Sequence, residues 1–128
     1  MKDETRQWLQ YAEENLHSAR LLLKSGLFNP CLQNTQQAIE KLLKAALIER
    51  AVKIKKTHSI SELLHMLQNL SIKIDISEDE CDLIDSIYLP SKYPVGSILP
   101  NFEPDETICQ QCLEIAIRVQ DSVKVVIQ

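Results

Sequence analysis

The stretch Gln36-Gln37-Ala38-Ile39-Glu40-Lys41-Leu42-Leu43-Lys44-Ala45-Ala46-Leu47-Ile48 decides how this chain folds. It holds no glycine or proline and few β-branched residues, so helix costs little. At about 100° per residue, Cys31, Thr35, Ala38, Leu42, Ala45 and Glu49 fall along one line, widened on one flank by Leu32, Ile39, Leu43 and Ala46. So broad an apolar sector predicts a helix that touches more than one neighbour. Alanines at 38, 45 and 46 let those neighbours come close. The remaining face is a polar stripe of Gln33, Gln37, Glu40, Lys41 and Lys44. Glu40 and Lys44 stand one turn apart in the favoured order, worth roughly 0.2–0.5 kcal/mol on an isolated helix.

On the N-terminal side, Trp8, Ala12, Leu16, Ala19 and Leu23 form the stripe of a first helix that starts at Asp3 or Thr5 and stops at Ser25-Gly26. Gly26 suits a left-handed cap. Asn29-Pro30 reads as an N-cap followed by proline at the first helical position. The central helix is expected to run to about Val52, antiparallel to the first because so few residues join them. On the C-terminal side, Ser59-x-x-Glu62 and Ser77-x-x-Glu80 are capping-box patterns. They open a short helix carrying Ile60, Leu63, Leu64 and Leu67, and a longer one carrying Cys81, Ile84, Ile87 and Tyr88. Residues 89–100 hold three prolines and a glycine, which predicts a long extended connection. Pro104-Asp105-Glu106 opens the last helix, striped by Ile108, Cys112, Ile115, Val119 and Val123. The expected fold is all-α: one antiparallel up-and-down bundle over residues 1–128, with four longer helices and one short helix. Trp8, Ala12, Ala38, Leu42, Ala45, Ile84, Cys112, Ile115 and Val119 are its expected core.

Composition agrees. There are 128 residues, 45% hydrophobic, with 2 glycines and a net charge of -4. Such a chain can bury one real core, and it carries no global basic footprint for nucleic acid. No apolar stretch approaches the roughly 20 residues needed to span a bilayer, so no membrane partner is expected. The segment from Met1 to Arg6 is charged and lacks the apolar core of a signal peptide. The cytoplasm is therefore the expected compartment, with the 4 cysteines reduced.

Candidate chemistry sits in four places. The central polar stripe reads either as a solvated face or as a wall for a nucleotide or a partner chain. Arg50, Lys53, Lys55, Lys56 and His58 read either as a soluble connector or as a salt-dependent contact for an anion or an RNA backbone. His58 is read as bracing the start of the short helix in preference to catalysis. Cys109-Gln110-Gln111-Cys112 has redox or metal spacing, but it lies inside a helical pattern without a second pair, so it reads as packing. Asp75, Glu78, Asp79, Glu80, Asp82 and Asp85 read as carboxylates lying mostly on a solvated outer face or first turn in preference to a metal site, and Tyr88 and Tyr93 as core or loop anchors, with stacking on a base as the alternative.

Three stretches then acquire a common meaning. Residues 36–45 follow the pattern Q-x-A-x-E-K-x-L-K-A. His58-Ser59-Ile60, with Leu63-Leu64 behind, parallels H-D-L and paired leucines, and Tyr88-Leu89-Pro90-Ser91-Lys92-Tyr93-Pro94 parallels Y-x-x-x-R-Y-P. In this order they resemble the HEPN family, named for nucleotide binding in higher eukaryotes and prokaryotes. The resemblance implies a helical bundle that forms a homodimer. It also implies a minimal nucleotidyltransferase encoded nearby as partner, in a toxin–antitoxin-type pair. The implied ligand is a nucleotide such as ATP, or RNA, with no other cofactor. The implied ligand or partner surface is Gln37, Glu40, Lys41, Lys44, His58, Ser91, Lys92 and Tyr93, brought to one end of the bundle if the short helix acts as a full strut. Lys92 stands where arginine is usual and cannot offer its bidentate fork. The family's ribonuclease branches carry an arginine and a histidine four to six residues apart. Arg50 and His58 are farther apart than that, and Arg6, Arg20 and Arg118 have no histidine suitably placed after them. The leading expectation is a binding module without catalytic residues or metal. The alternatives are a metal-independent endoribonuclease with His58 as acid/base and Lys92 or Lys56 at the phosphorane, or a purely structural dimer.

Overall fold

The computed structural model describes residues 1–54, 56–92 and 103–128, with residues 88–92 by backbone alone. Helix α1 spans Asp3–Lys24, α2 Phe28–Glu49, α3 Ile60–Asn69, α4 Glu78–Lys92 and α5 Glu106–Ile127. There is no strand among the described residues. The all-α bundle with one short helix is the architecture the periodicities predict.

The broad apolar sector of α2 makes it the hub: it packs against each of the other four helices, and residues 42–48 are buried without exception. Ala12, Leu16 and Ala19 of α1, Ile84 and Ile87 of α4, and Cys112, Ile115 and Val119 of α5 close around it. Small residues at 12, 19, 38, 45 and 46 permit close approach, and leucine and isoleucine fill the space between.

Hydrogen bonds between helices fix the directions. Thr5 Oγ1 donates to Glu49 Oε1 (2.9 Å) and Asn15 Nδ2 to Asn34 Oδ1 (3.0 Å), so α1 and α2 are antiparallel. Cys109 Sγ reaches the Phe28 carbonyl (3.5 Å) and Gln120 bonds Glu13, so α5 runs parallel to α2. Arg118 of α5 pairs with Glu80 at the start of α4, and Asp75 N–H donates to Ser122 Oγ (2.9 Å); α4 is therefore antiparallel to α5. α3 is antiparallel to α4 and so parallel to α2, not the alternating strut of the sequence expectation: Ile60 N–H bonds Asp85 near one end and His65 bonds Glu78 near the other. The connector between α2 and α3 thus climbs back along α2 before α3 begins.

Helix ends depart from the sequence expectation in three places. α2 starts at Phe28, not after Asn29, so Asn29 and Pro30 lie within its first turn. Proline is tolerated there because the first amides have no intrahelical acceptor. At its other end α2 stops at Glu49, short of Val52. Ala51 turns left-handed (φ 60°), and the Val52 and Ala51 amides bond back to the carbonyls of Leu47 and Ile48. That is the Schellman arrangement, which Gly26 (φ 72°) also makes after α1. Finally, α4 continues through Pro90 to Lys92, whereas an extended connection is predicted from Leu89. Proline this close to a helix end removes one backbone bond and keeps a φ compatible with helix, so the preceding turns carry the helix past it. The rest of that expected connection, residues 93–102, lies outside the described residues.

Candidate functional site

The polar stripe of α2 does not stay in water. Glu40 is 4% exposed and Lys44 7%. They sit under α1 and the returning connector, which cover the face that helical periodicity leaves polar. Each buried charge is answered. Lys44 Nζ donates to Glu40 Oε2 (2.9 Å), and its ammonium lies 5.7 Å from the centroid of the Trp8 ring. Glu40 Oε1 receives Gln36 Nε2 (3.3 Å) and faces His58 Nδ1 (3.0 Å). Gln36 Nε2 also donates to the His58 carbonyl (3.3 Å), so α2 holds both the backbone and the ring of His58.

This geometry sets the chemistry of His58. A carboxylate paired to an ammonium only accepts hydrogen bonds, so Nδ1 carries the proton and donates it. In the neutral ring Nε2 then holds the lone pair. The side chain is 56% exposed, so this histidine meets solvent while a buried carboxylate orients it. Its ring and its carbonyl are held by α2, one residue before the N-cap of α3. Capping of α3 falls to Ser59, as its pattern predicts, whose Oγ accepts from Glu62 N–H (3.1 Å), and to Asp85. The Asp85 carboxylate accepts from Ile60 N–H (2.6 Å), Ser61 N–H (3.2 Å) and Ser59 Oγ (3.2 Å).

The structure gathers Glu40, Lys44 and His58, and Gln37 joins them through Gln36 (Nε2 to Oε1, 2.9 Å). Lys41 belongs to the adjoining seam with α1. Its Nζ donates to Asn15 Oδ1 (2.7 Å) and lies 5.9 Å from the Tyr11 ring centroid. Burial holds its pKa below the ordinary lysine value, against the opposing pull of Glu40. Lys92 closes α4 about two turns beyond Asp85. The side chains of Ser91 and Lys92, and all of Tyr93, lie outside the described residues.

The acidic residues lie mostly in solvent, as expected: Asp75, Glu78, Asp79 and Asp82 are exposed, with Asp75 beside Arg118 and Glu78 beside His65, while the half-buried Glu80 pairs with Arg118 and the half-buried Asp85 caps α3. The Arg118 hydrogen bond holds the Glu80 pKa below the usual glutamate value. The expectation of a buried Trp8 is corrected: it is only partly buried, since its ring lines a cleft beside Lys44. Cys109 and Cys112 pack as expected, and all four thiols are free and buried. Burial pushes Cys81, Cys109 and Cys112 up to about 12. Among the described residues, no three His, Cys, Asp or Glu side chains converge to hold a metal ion, and no helix is long and apolar enough to cross a membrane.

A model of the HEPN domain matches residues 5–126. The chain belongs to the HEPN family. Among solved structures, TT1696 from Thermus thermophilus is similar over 98% of this chain and 99% of its own, at 25% identity and a TM-score of 0.78. ST0689, described as an archaeal HEPN homologue, is similar over 100% of both chains, at 24% identity and a TM-score of 0.66, a likeness of fold. None of the curated proteins matches significantly. In this HEPN chain the sequence reading missed Gln36, Trp8 and Asp85 as parts of the site and its frame. Gln36 had a signal, since it opens the family run. Asp85 had none, because its partners are amides of a different helix.

Proposed function

We propose that this HEPN chain is a non-catalytic binding module for a nucleotide such as ATP. It works as a homodimer beside a minimal nucleotidyltransferase in a toxin–antitoxin-type pair, with the cytoplasm as its compartment. The observation that carries this reading is the buried Glu40–Lys44 pair, with His58 fixed to it at 3.0 Å. Burying two charges costs several kcal/mol per ion, and apolar replacements of such pairs are often neutral or stabilising. A buried pair at the hub of the bundle is therefore poorly explained by stability alone. Its evident effect is to position Lys44 and His58 at the edge of a surface that also carries Lys41, where ammonium groups suit phosphate.

Equilibrium dialysis with ATP and with a short RNA tests this on the wild type, Lys41→Ala and His58→Ala. Binding of ATP that either substitution weakens supports the reading. Binding that neither touches places the ligand elsewhere. If the wild type binds neither ligand but forms a complex with the nucleotidyltransferase encoded beside it, the surface is a protein interface.

The Glu40–His58 hydrogen bond favours one second reading, a metal-independent endoribonuclease. A carboxylate that accepts from Nδ1 orients the imidazole, and an oriented imidazole is a group suited to general acid–base work on a 2′-hydroxyl. RNA cut by purified protein in the presence of a chelator, and left intact by His58→Ala, would establish it; intact RNA with the wild type removes it.

A further inference from the structure

Three of the four thiols gather near where α2 and α5 begin. Cys31 stands in the first turn of α2 and Cys109 in the first turn of α5, and both are wholly buried. Because α5 runs parallel to α2, these two turns lie side by side. The Cys31 and Cys109 thiols are within hydrogen-bonding reach of one another, and Cys109 Sγ donates to the Phe28 carbonyl (3.5 Å), one turn before Cys31. The Thr35 hydroxyl is also within reach of the Cys31 sulfur. Cys112 stands one turn farther along α5, close enough for its charge to be felt at Cys31. Cys81 is elsewhere: it adjoins Glu80, which pairs with Arg118, roughly two and a half turns along α5 from Cys109.

We propose that Cys31 and Cys109 are an oxidation site, where hydrogen peroxide forms a disulfide that staples the first turn of α5 to the first turn of α2. Two cysteines can be bridged only where their side chains already meet, and this pair meets across two helices with no rearrangement of the bundle. The two sulfurs are not equivalent. Cys109 and Thr35 favour a negative Cys31 sulfur and oppose the effect of burial there, whereas Cys109 is pushed up to about 12. Cys31 is therefore the attacking thiolate. Its sulfur bonds one peroxide oxygen as the O–O bond breaks, giving a sulfenic acid and a hydroxide that takes a proton to become water. The Cys109 sulfur then attacks the sulfenic sulfur. The S–S bond forms, the S–O bond breaks, and the hydroxyl leaves as water with the Cys109 proton. Two thiols are oxidised to one disulfide, and one peroxide is reduced to two waters. Buried thiols react when the structure over them opens locally, and helix ends, where both residues sit, fray first. The bond closes most of the chain into one loop, the case in which a cross-link constrains the unfolded state most.

The test treats the full reduced chain with hydrogen peroxide, blocks remaining thiols with iodoacetamide in denaturant, and maps the peptides by mass spectrometry without reductant. Expected are a linked Cys31–Cys109 peptide pair within one chain and a Tm raised by roughly 10 °C, both reversed by dithiothreitol. Cys81→Ala and Cys112→Ala keep the linked pair, and Cys109→Ala loses it. The wild-type map decides the matter even if a variant folds poorly. A chain that oxidises only in denaturant overturns the proposal. So does a bond between Cys109 and Cys112, a bond between two chains, sulfinic or sulfonic acid in place of a disulfide, or a Tm that does not rise on forming the linked pair.

Discussion

Glu40 is an anion with four neighbours competing for two oxygens: Lys44, Gln36 and His58 through hydrogen bonds, and Lys41 through charge. Removing one member of a buried pair strands the other. Lys44→Ala is therefore expected to lower stability by about 3–5 kcal/mol, whereas Glu40→Leu/Lys44→Met, which removes both charges and keeps volume, loses much less. Denaturant melts of the two variants check this; equal losses would mean that the pair is not coupled. The thiols make a second residue-scale case. In the unfolded chain they ionise from about pH 9, but burial moves Cys81, Cys109 and Cys112 up to about 12. Because the folded pKa lies above the unfolded one, their contribution is fully present below pH 9 and is lost as pH rises from 9 toward 12. The expected outcome is a Tm that falls steadily over that window, with thiol reagents at pH 8 modifying the cysteines only after denaturant is added. Rapid modification of the native chain would show that these thiols are not buried.

Among the elements, the ends of the helices carry the least redundant interactions. α1 and α2 close with the same left-handed turn, one on Gly26 and one on Ala51. A Cβ at Gly26 would meet no atom within 4 Å, so alanine there pays only the backbone strain. Left-handed backbone costs an L-residue roughly 1–2 kcal/mol relative to glycine. Gly26→Ala is expected to destabilise by about 1 kcal/mol and Ala51→Gly to stabilise by a similar amount, shifting Tm in opposite directions. Shifts of the same sign would mean that the ends are not held by this turn. α3 depends on Asp85 and Ser59 at once, and the Asp85 carboxylate sits where the helix dipole is positive. That ties a short helix of ten residues to α4 more firmly than its propensity could.

At the scale of the whole molecule, net charge and local charge point in opposite directions. A chain of net charge -4 lines one cleft with four lysines, Lys2, Lys44, Lys53 and Lys56, and any anion binding there weakens as salt rises. Association is the other whole-molecule property. The broad apolar sector of α2 and the apolar Ile98, Leu99 and Phe102 of the sequence after α4 are the basis for expecting association, since exposed apolar surface beyond a few hundred Å² usually finds a partner. We expect a homodimer, giving twice 14.6 kDa in light scattering at high protein concentration. A mass of 14.6 kDa under those conditions would reject it.

What the sequence determined by itself was set by short-range physics. The hub role of α2 follows from the angular width of its apolar sector. The Ser59 and Ser77 caps follow from residues three apart: the Ser77 box is complete, Glu80 N–H to Ser77 Oγ at 3.1 Å and Ser77 N–H to Glu80 Oε1 at 3.0 Å, whereas Ser59 Oγ caps Glu62 N–H at 3.1 Å while the Glu62 carboxylate accepts from the Thr57 hydroxyl. The all-α class follows from the scarcity of glycine and the spacing of leucine and isoleucine. Only the tertiary structure decided that Glu40 and Lys44 are buried. A polar stripe has the same pattern whether water or a returning connector covers it, and that connector's path depends on Asp85 capping α3 from another helix. Trp8 is the converse: its stripe predicts a buried ring, yet the ring ends at the wall of a cleft. Periodicity assigns a residue to a face of its own helix, but what covers that face is fixed by contacts between residues far apart in the chain.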